Sequence, residues 1–464
     1  MNIEKTKQYL KIRQQNLLNG GCNCISSPFD RFLEDFPGLM MGDGIVVTAA
    51  TKGAKSQFTN FLVKFNSLRF AMENPDKCHL HIMDFLLEES EKDLNSRYFR
   101  FLYYLIDGDL VGKHKLESTR EPVSDELLNR LDTPRYMKFE KFYSEHIEVH
   151  NVTNPRKIID KCWKFVKDNA DIRFKDDDKL YTGNELSDSY YDMIAEHSEI
   201  EETIWHDPMM YFIINIDHIS LISEFPGKNL KQSIDELSKV LMINFRRDMK
   251  CIVSFVQQQN FDQESNESVK RTKGMPTKSN LADSKYPSRD TVYMFGVYSP
   301  ASNNINEYGG YDIERLKDNV RFVTMMVNRN GTPGSILPLG FLGQAGWFEE
   351  LPKPDDPEME SRYTFSWYLG RKQRLREERI FEREKPNREY EQRSLFDDDG
   401  NAKVSLETAF LLNFKNDKQC LMRNKRNFWL CSIIRCGTSW LKEAISTFMA
   451  SLKRLLTSCR REEM

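Results

Sequence analysis

The chain has little that would tie it to a membrane, a metal cluster or an oxidising compartment. Across its 464 residues no apolar run approaches the roughly 18 residues needed to cross a bilayer. The opening Met1-Asn2-Ile3-Glu4-Lys5 is polar with no apolar stretch behind it, so a secretory leader is not expected. The nine cysteines are odd in number and scattered from Cys22 to Cys459. Cys22-Asn23-Cys24 and Cys431/Cys436 lack the paired spacing and histidines of a zinc site, which leaves free thiols in a reducing cytoplasm as the expectation. No repeat of fixed period recurs. The net charge of −3 argues against a protein coated in positive charge. It leaves nucleic acid open, because a ring or cleft needs basic residues only where the strand passes.

What the chain does have is an alternation of apolar runs and helical stretches. The runs are Ile45–Thr48, His79–Phe85, His146–Val152, Tyr211–Ile216, Cys251–Val256, Thr291–Tyr298 and Val320–Val327. Strands alternating with helices predict an α/β fold with a mostly parallel twisted sheet. The turn-rich Asn328–Gly334 followed by Ser335–Phe341 predicts an antiparallel hairpin at one end of that sheet. Residues 1–27 read as a short N-terminal helix (3–18, ended by Gly20-Gly21) and a linker, and residues 28–355 as the globular core. Residues 171–207 are acidic and poorly periodic, which reads as a surface insertion. Phe261 to Lys285 reads as a long mobile loop, of a length that tends to carry function. Residues 356–464 form a charged and amphipathic helical C-terminal extension in this reading.

The stretch Ala49-Ala50-Thr51-Lys52-Gly53-Ala54-Lys55-Ser56 follows the first apolar strand and leads into a helix that includes Gln57. A strand, a tight small-residue loop ending in Lys-Ser, then a helix is the geometry that cradles phosphates. Backbone N–H groups of residues 51–57 and the helix N-terminus would hold the anion, Lys55 would reach the β/γ-phosphates, and Ser56 would bind Mg²⁺. The pattern departs from G-x-x-x-x-G-K-[ST]: Ala49 and Ala54 stand where glycines are expected, and Gly53 sits one place early. Tyr211–Ile216 ends in Asp217, a carboxylate at the C-terminal edge of the sheet that suits a second Mg²⁺ ligand. Ile252–Val256 ends in Gln257, placed to sense a γ-phosphate.

The order and spacing of these elements resemble the RecA-type P-loop NTPase domain of DnaB-like replicative DNA helicases, over about residues 28 to 350. Gly42-Asp43 before the first strand, Leu87-Glu88 after the second, Ile216-Asp217-His218-Ile219, Val256-Gln257, Leu281-Ala282-Asp283-Ser284 and Asn328-Arg329-Asn330-Gly331 each match a family segment. The resemblance implies ATP as substrate with Mg²⁺ and a divergent, phage- or mobile-element-type motor. Glu88, or its neighbour Glu89, would orient the attacking water, and Arg329 would reach the γ-phosphate of the adjacent subunit in a hexameric ring. The family's lysine two places before that arginine is Val327 here, and the arginine of its Leu-Arg-Glu-Ser-Gly segment is Ala282. The family's primase-contacting domain has no counterpart in residues 1–27. Single-stranded DNA would lie in the ring channel against Lys270, Arg271, Lys273 and Lys278, contacting phosphates rather than bases. A primase or loader is an implied partner. Gln392-Arg393-Ser394-Leu395-Phe396 resembles the short motif with which bacterial replication proteins hook a sliding clamp. Other readings of the same residues are a RecA-like DNA-dependent ATPase that loads or remodels DNA without processive unwinding, and a module that only holds nucleotide.

Overall fold

The computed structural model describes residues 3–260, 275–364, 368 and 371–375. The chain divides into a unit Met1–Glu377 and a unit Glu378–Met464, the latter outside the described residues. After the helix Ile3–Leu18, strands β1 (Ile25–Ser26) and β2 (Gly38–Leu39) pair as a small antiparallel ladder. The main sheet takes β3 (Gly44–Ala49), β4 (His79–Leu86), β5 (Ile147–His150), β9 (Met210–Asp217), β10 (Ile252–Gln258), β11 (Tyr293–Tyr298), β14 (Val320–Asn328), β15 (Ile336–Leu342) and β16 (Trp347–Glu350). Between these, β6 (Ala170–Phe174), β7 (Asp177–Tyr181) and β8 (Ile200–Trp205) form a separate antiparallel sheet. β12 (Glu307–Tyr308) and β13 (Tyr311–Asp312) form a two-residue ladder.

The nine-stranded order is β16-β15-β14-β11-β3-β10-β9-β4-β5. From β11 to β5 neighbouring strands run parallel, while β14, β15 and β16 continue from β11 as an antiparallel meander. The hairpin expected after Asn328 is therefore present. The parallel strands read as near-continuous apolar runs because helices cover both of their faces. Side chains alternate between two cores: Ile45, Val47 and Ala49 of β3 face one, and Val46 faces the other.

The segment 171–207 departs from its expected irregularity. Ile172, Phe174, Tyr190, Met193 and Ile200 are buried in the same cluster as the inner face of β9 and β10. Buried and half-buried residues alternate along β6, a signal diluted by the exposed Asp178, Glu201 and Glu202 of β7 and β8. Met359 and Arg371, in the stretch expected to form the C-terminal extension, also contact the core. Met359 is buried among Tyr311, Phe322 and Leu351, and Arg371 lies over Tyr104 and Trp347 at 5.2 and 4.7 Å. Among the described residues, no helix is long and apolar enough to cross a membrane, and Cys22, Cys24, Cys78, Cys162 and Cys251 are free.

Three polar residues lie where only apolar ones would be expected. Lys64, in the wide-turned helix Asn60–Phe65, has its Nζ 2.6 Å from Asp84 Oδ2, and both side chains are fully buried. Asn215 Nδ2 donates to Asp84 Oδ1 at 2.7 Å, across the Asp84–Asn215 register pair of β4 and β9. Removing one partner of such a pair leaves an uncompensated charge in the core. Asp84→Ala or Lys64→Ala is expected to cost about 3–5 kcal/mol, whereas the apolar double variant Lys64→Met/Asp84→Leu, which leaves only the neutral Asn215 amide unpaired, should lose clearly less than either. Urea unfolding of the three variants checks this; a double variant as unstable as the singles would contradict it.

Asp43, just before β3, is buried and accepts from the Met40 amide at 2.8 Å. Burial pushes its carboxyl up from 3.8 to about 7, against the pull of the Met40 hydrogen bond and of Arg246 and Arg13. The folded state therefore binds the proton that the unfolded state has already lost, and this residue's contribution to stability falls as pH rises from about 4 to 7. Asp43→Asn removes that decline, so its stability relative to wild type should improve between pH 5 and pH 7.5 in urea unfolding. An equal difference at both pH values would exclude the shift.

Candidate nucleotide site at the sheet edge

The C-terminal ends of β3, β4 and β9 lie at one edge of the sheet, where the polar residues gather. β3 ends at Ala49, and a turn closed by the Gly53 amide on the Ala50 carbonyl (3.0 Å) leads into the helix starting at Lys55. A Cβ on Gly53 would stand 2.7 Å from the Ala49 Cβ and 2.9 Å from the Ala50 carbonyl oxygen, so the early glycine is required by crowding. Lys52 and Ala54 both adopt left-handed backbone, φ 62° and 72°. In Ala54 that conformation costs about 1 kcal/mol relative to a glycine free of Cβ clashes.

Lys55 Nζ lies 3.5 Å from Glu88 Oε2, and Ser56 Oγ donates to Asp217 Oδ1 at 3.2 Å. The two carboxylates come together because Leu86 is in register with Asp217 and the Leu87 amide donates to the Asp217 carbonyl at 2.8 Å. Glu89 points elsewhere, into an ion pair with Arg97. The geometry therefore separates Glu88 from Glu89. Burial pushes the Asp217 carboxyl up to about 6, while Lys64, the Ser56 hydroxyl and Lys55 pull it down and Asp84 pushes it further up. His218, joined to Asp217 by a cis peptide, places Nε2 3.7 Å from Glu88 Oε2. Burial, reinforced by Lys55, holds this imidazole below its usual pKa.

Gln257 is not part of the group. It is fully buried and donates to the carbonyls of Ala282 and Ser284 at 2.7 and 2.6 Å. The next residue faces the loop instead: Gln258 Nε2 donates to Thr51 Oγ1 at 2.8 Å. Successive strand residues point to opposite faces, so a shift of one position exchanges which glutamine meets the loop. Gln57 turns outward, donating to the Gly343 carbonyl at 3.2 Å.

Arg329 lies at the opposite end of the same strands. Its Nε donates to the Thr291 carbonyl at 2.8 Å and its Nη2 to the Arg289 carbonyl, where the Val292 amide meets Gly44 at the start of β3. The six residues of β3 put roughly 16 Å between that end and the loop, out of the arginine's reach. Of the basic residues expected on DNA, Lys278 is exposed in a short helical turn, and Lys270, Arg271 and Lys273 lie outside the described residues. So does Gln392–Phe396. Sequence reading missed Lys64, Asp84, Asn215, His218 and Gln258. The signals available for the first two were a lysine inside Phe61-Leu62-Val63-Lys64-Phe65 and an aspartate inside an apolar strand.

No family model matches the chain, and no curated protein matches it. Among solved structures it is similar to one described as a DnaB-like replicative helicase and its interactions with primase. That match has 15% identity over 76% of this chain and 67% of the other, with a TM-score of 0.51. It is also similar to a structure described as an ATPase domain (15% identity, 76% and 98% covered, TM-score 0.48) and to a KaiC-like protein from the archaeon Pyrococcus horikoshii (12%, 72% and 99%, TM-score 0.38). The fold is thus RecA-like, a sheet of mostly parallel strands with helices on both faces. More particularly, the chain shares the fold of the DnaB-like replicative helicase.

The carboxylate assignment is open to direct test. Glu88→Gln is expected to reduce nucleotide hydrolysis by about 100-fold or more, and Glu89→Gln to leave it within about threefold. Steady-state phosphate release measures both; equal losses would remove the distinction.

Proposed function

We propose that the chain is an ATP-dependent DNA helicase motor, hydrolysing ATP at the interfaces of a ring and translocating on single-stranded DNA. The observation that carries this reading is the meeting of Lys55, Ser56, Glu88 and Asp217 at one sheet edge. Lys55 would bind the β/γ-phosphates, and Glu88 would orient the attacking water and draw its proton. Ser56 and Asp217, already within hydrogen-bond distance, fit a Mg²⁺ site that also uses phosphate oxygens; the ion would supply charge neutralisation between the phosphates. Gln258, through Thr51, takes the loop-facing place expected of Gln257.

The placement of Arg329 beyond its own loop supports a role in trans. A neighbouring copy packed head to tail would bring it to the γ-phosphate, and such contacts close into rings, the hexamer being the expected one. The N-terminal helix supports the same assembly. Ile3, Leu10, Ile12, Leu17 and Leu18 are more than half exposed, an apolar surface suited to an adjacent subunit. DNA would run past Lys278 and a groove of about 450 Å³ whose lining includes Lys231, Lys285, Arg289 and Tyr286 beside the acidic Asp235 and Asp283, so that a phosphodiester strand would follow its basic side. A primase or loader, and a sliding clamp through Gln392–Phe396, are the protein partners in this reading. The second reading, ATP-driven loading or remodelling of DNA without unwinding, is favoured by the strained Ala54 and by Val327 in place of a cation.

Strand displacement with ATP and Mg²⁺ distinguishes them. Lys55→Ala and Arg329→Ala should each lower hydrolysis by about 1,000-fold, and both should abolish unwinding. Mixing the two inactive variants should restore measurable hydrolysis, because an interface can then pair an intact Lys55 with an intact Arg329. No recovery on mixing excludes the trans arginine, unwinding by Lys55→Ala excludes the motor, and hydrolysis without unwinding by the unaltered chain selects the second reading.

A further inference from the structure

One polar group at the sheet edge has no task in the scheme above. The His218 side chain is buried, its Nδ1 is sealed from solvent without a hydrogen-bond partner, and its Nε2 faces Glu88 at 3.7 Å. A buried ring nitrogen left unpaired calls for an explanation. The main chain leading into His218 is tied to the residue before Glu88, since the Asp217 carbonyl receives the Leu87 amide.

Glu88 has two nitrogen neighbours on the same oxygen, Lys55 at 3.5 Å and His218 at 3.7 Å. These contacts have different fates when nucleotide enters. Lys55 turns to the phosphates, and Glu88 loses its ion-pair partner at the moment when it must hold a water in line. A carboxylate nearly half exposed, as Glu88 is, would then sample several rotamers. We propose that His218 is the positioning residue for Glu88, donating Nε2–H to its carboxylate once Lys55 is engaged by phosphate. This rests on the reading of the site as an ATP hydrolase.

The contact is about 0.7 Å longer than a good N–H···O bond, and contacts of this kind are commonly loose before substrate binds. The imidazole can present Nε2–H whether neutral or protonated, so no change of charge is needed. Gln at this position can offer an amide N–H at similar reach, and Phe can fill the volume without any donor.

The test uses the full chain, with ATP turnover for kcat and KM and ADP binding measured separately. His218→Phe is expected to lower kcat by about 10- to 100-fold with KM for ATP and the ADP affinity within about twofold. His218→Gln should recover most of the loss. In a Glu88→Gln background, His218→Phe should add little, because the group it positions is already gone. If the Phe variant is poorly folded, His218→Leu, which also lacks a donor, takes its place in this cycle. Wild-type kcat in His218→Phe, a loss shared equally by kcat and ADP affinity, or full additivity with Glu88→Gln would each overturn the proposal. Failure of the unaltered chain to hydrolyse ATP would instead overturn the ATPase reading, and this inference with it.

Discussion

The buried contact between Lys64 and Asp84, completed by Asn215, is the constraint on which the arrangement of the sheet edge depends. It joins the element that continues the helix begun by Lys55-Ser56 to β4, which ends two residues before Glu88, and to β9, which ends in Asp217. Charges enter an apolar core only at a desolvation cost that good geometry must offset. With both ionic side chains at zero exposure, the helix cannot slide along the sheet, nor β4 along β9, without separating them. An apolar contact at the same place would tolerate a shift of an ångström; this one does not. The effect reaches the site electrostatically as well, since Lys64 is the largest influence drawing the buried Asp217 back toward its ionised form.

Much of the fold was legible because the parallel strands are apolar on both faces and so stand out as runs. The strand ends moved by a residue or two, and the hairpin after Asn328 followed from its turn residues. That four candidate residues meet was readable in the same way. Lys55, Ser56, Glu88 and Asp217 all end or follow a strand, and strand ends converge in such folds. What could not be read was phase and depth. Gln257 and Gln258 differ only in which face each meets, and a strand's last residues carry no periodicity to decide it. Lys64 reads as a solvated helix charge until its helix is seen pressed against β4. Glu88 and Glu89 separate only through the Leu87–Asp217 hydrogen bond, a contact between residues 130 positions apart.

The sheet also keeps its two groups of candidate residues at opposite ends. The loop-side group lies beyond the C-terminal ends of the parallel strands and Arg329 beyond the N-terminal end of β3. A single copy has the length of a strand between them, so neither end can compensate for the other by side-chain movement. The antiparallel strand β14 is what permits this, since a chain reversal after β11 is needed to carry Arg329 back to the end where β3 begins.

Ala54 sits in left-handed backbone where the Ala49–Ser56 loop enters its helix. Every alanine codon becomes a glycine codon by one change at its second base. The residue that would relax this turn is therefore a single mutational step away, within reach of any random library. A laboratory population of this gene selected for a firmer loop would have its simplest solution at this codon, with no need to rebuild the neighbouring strands.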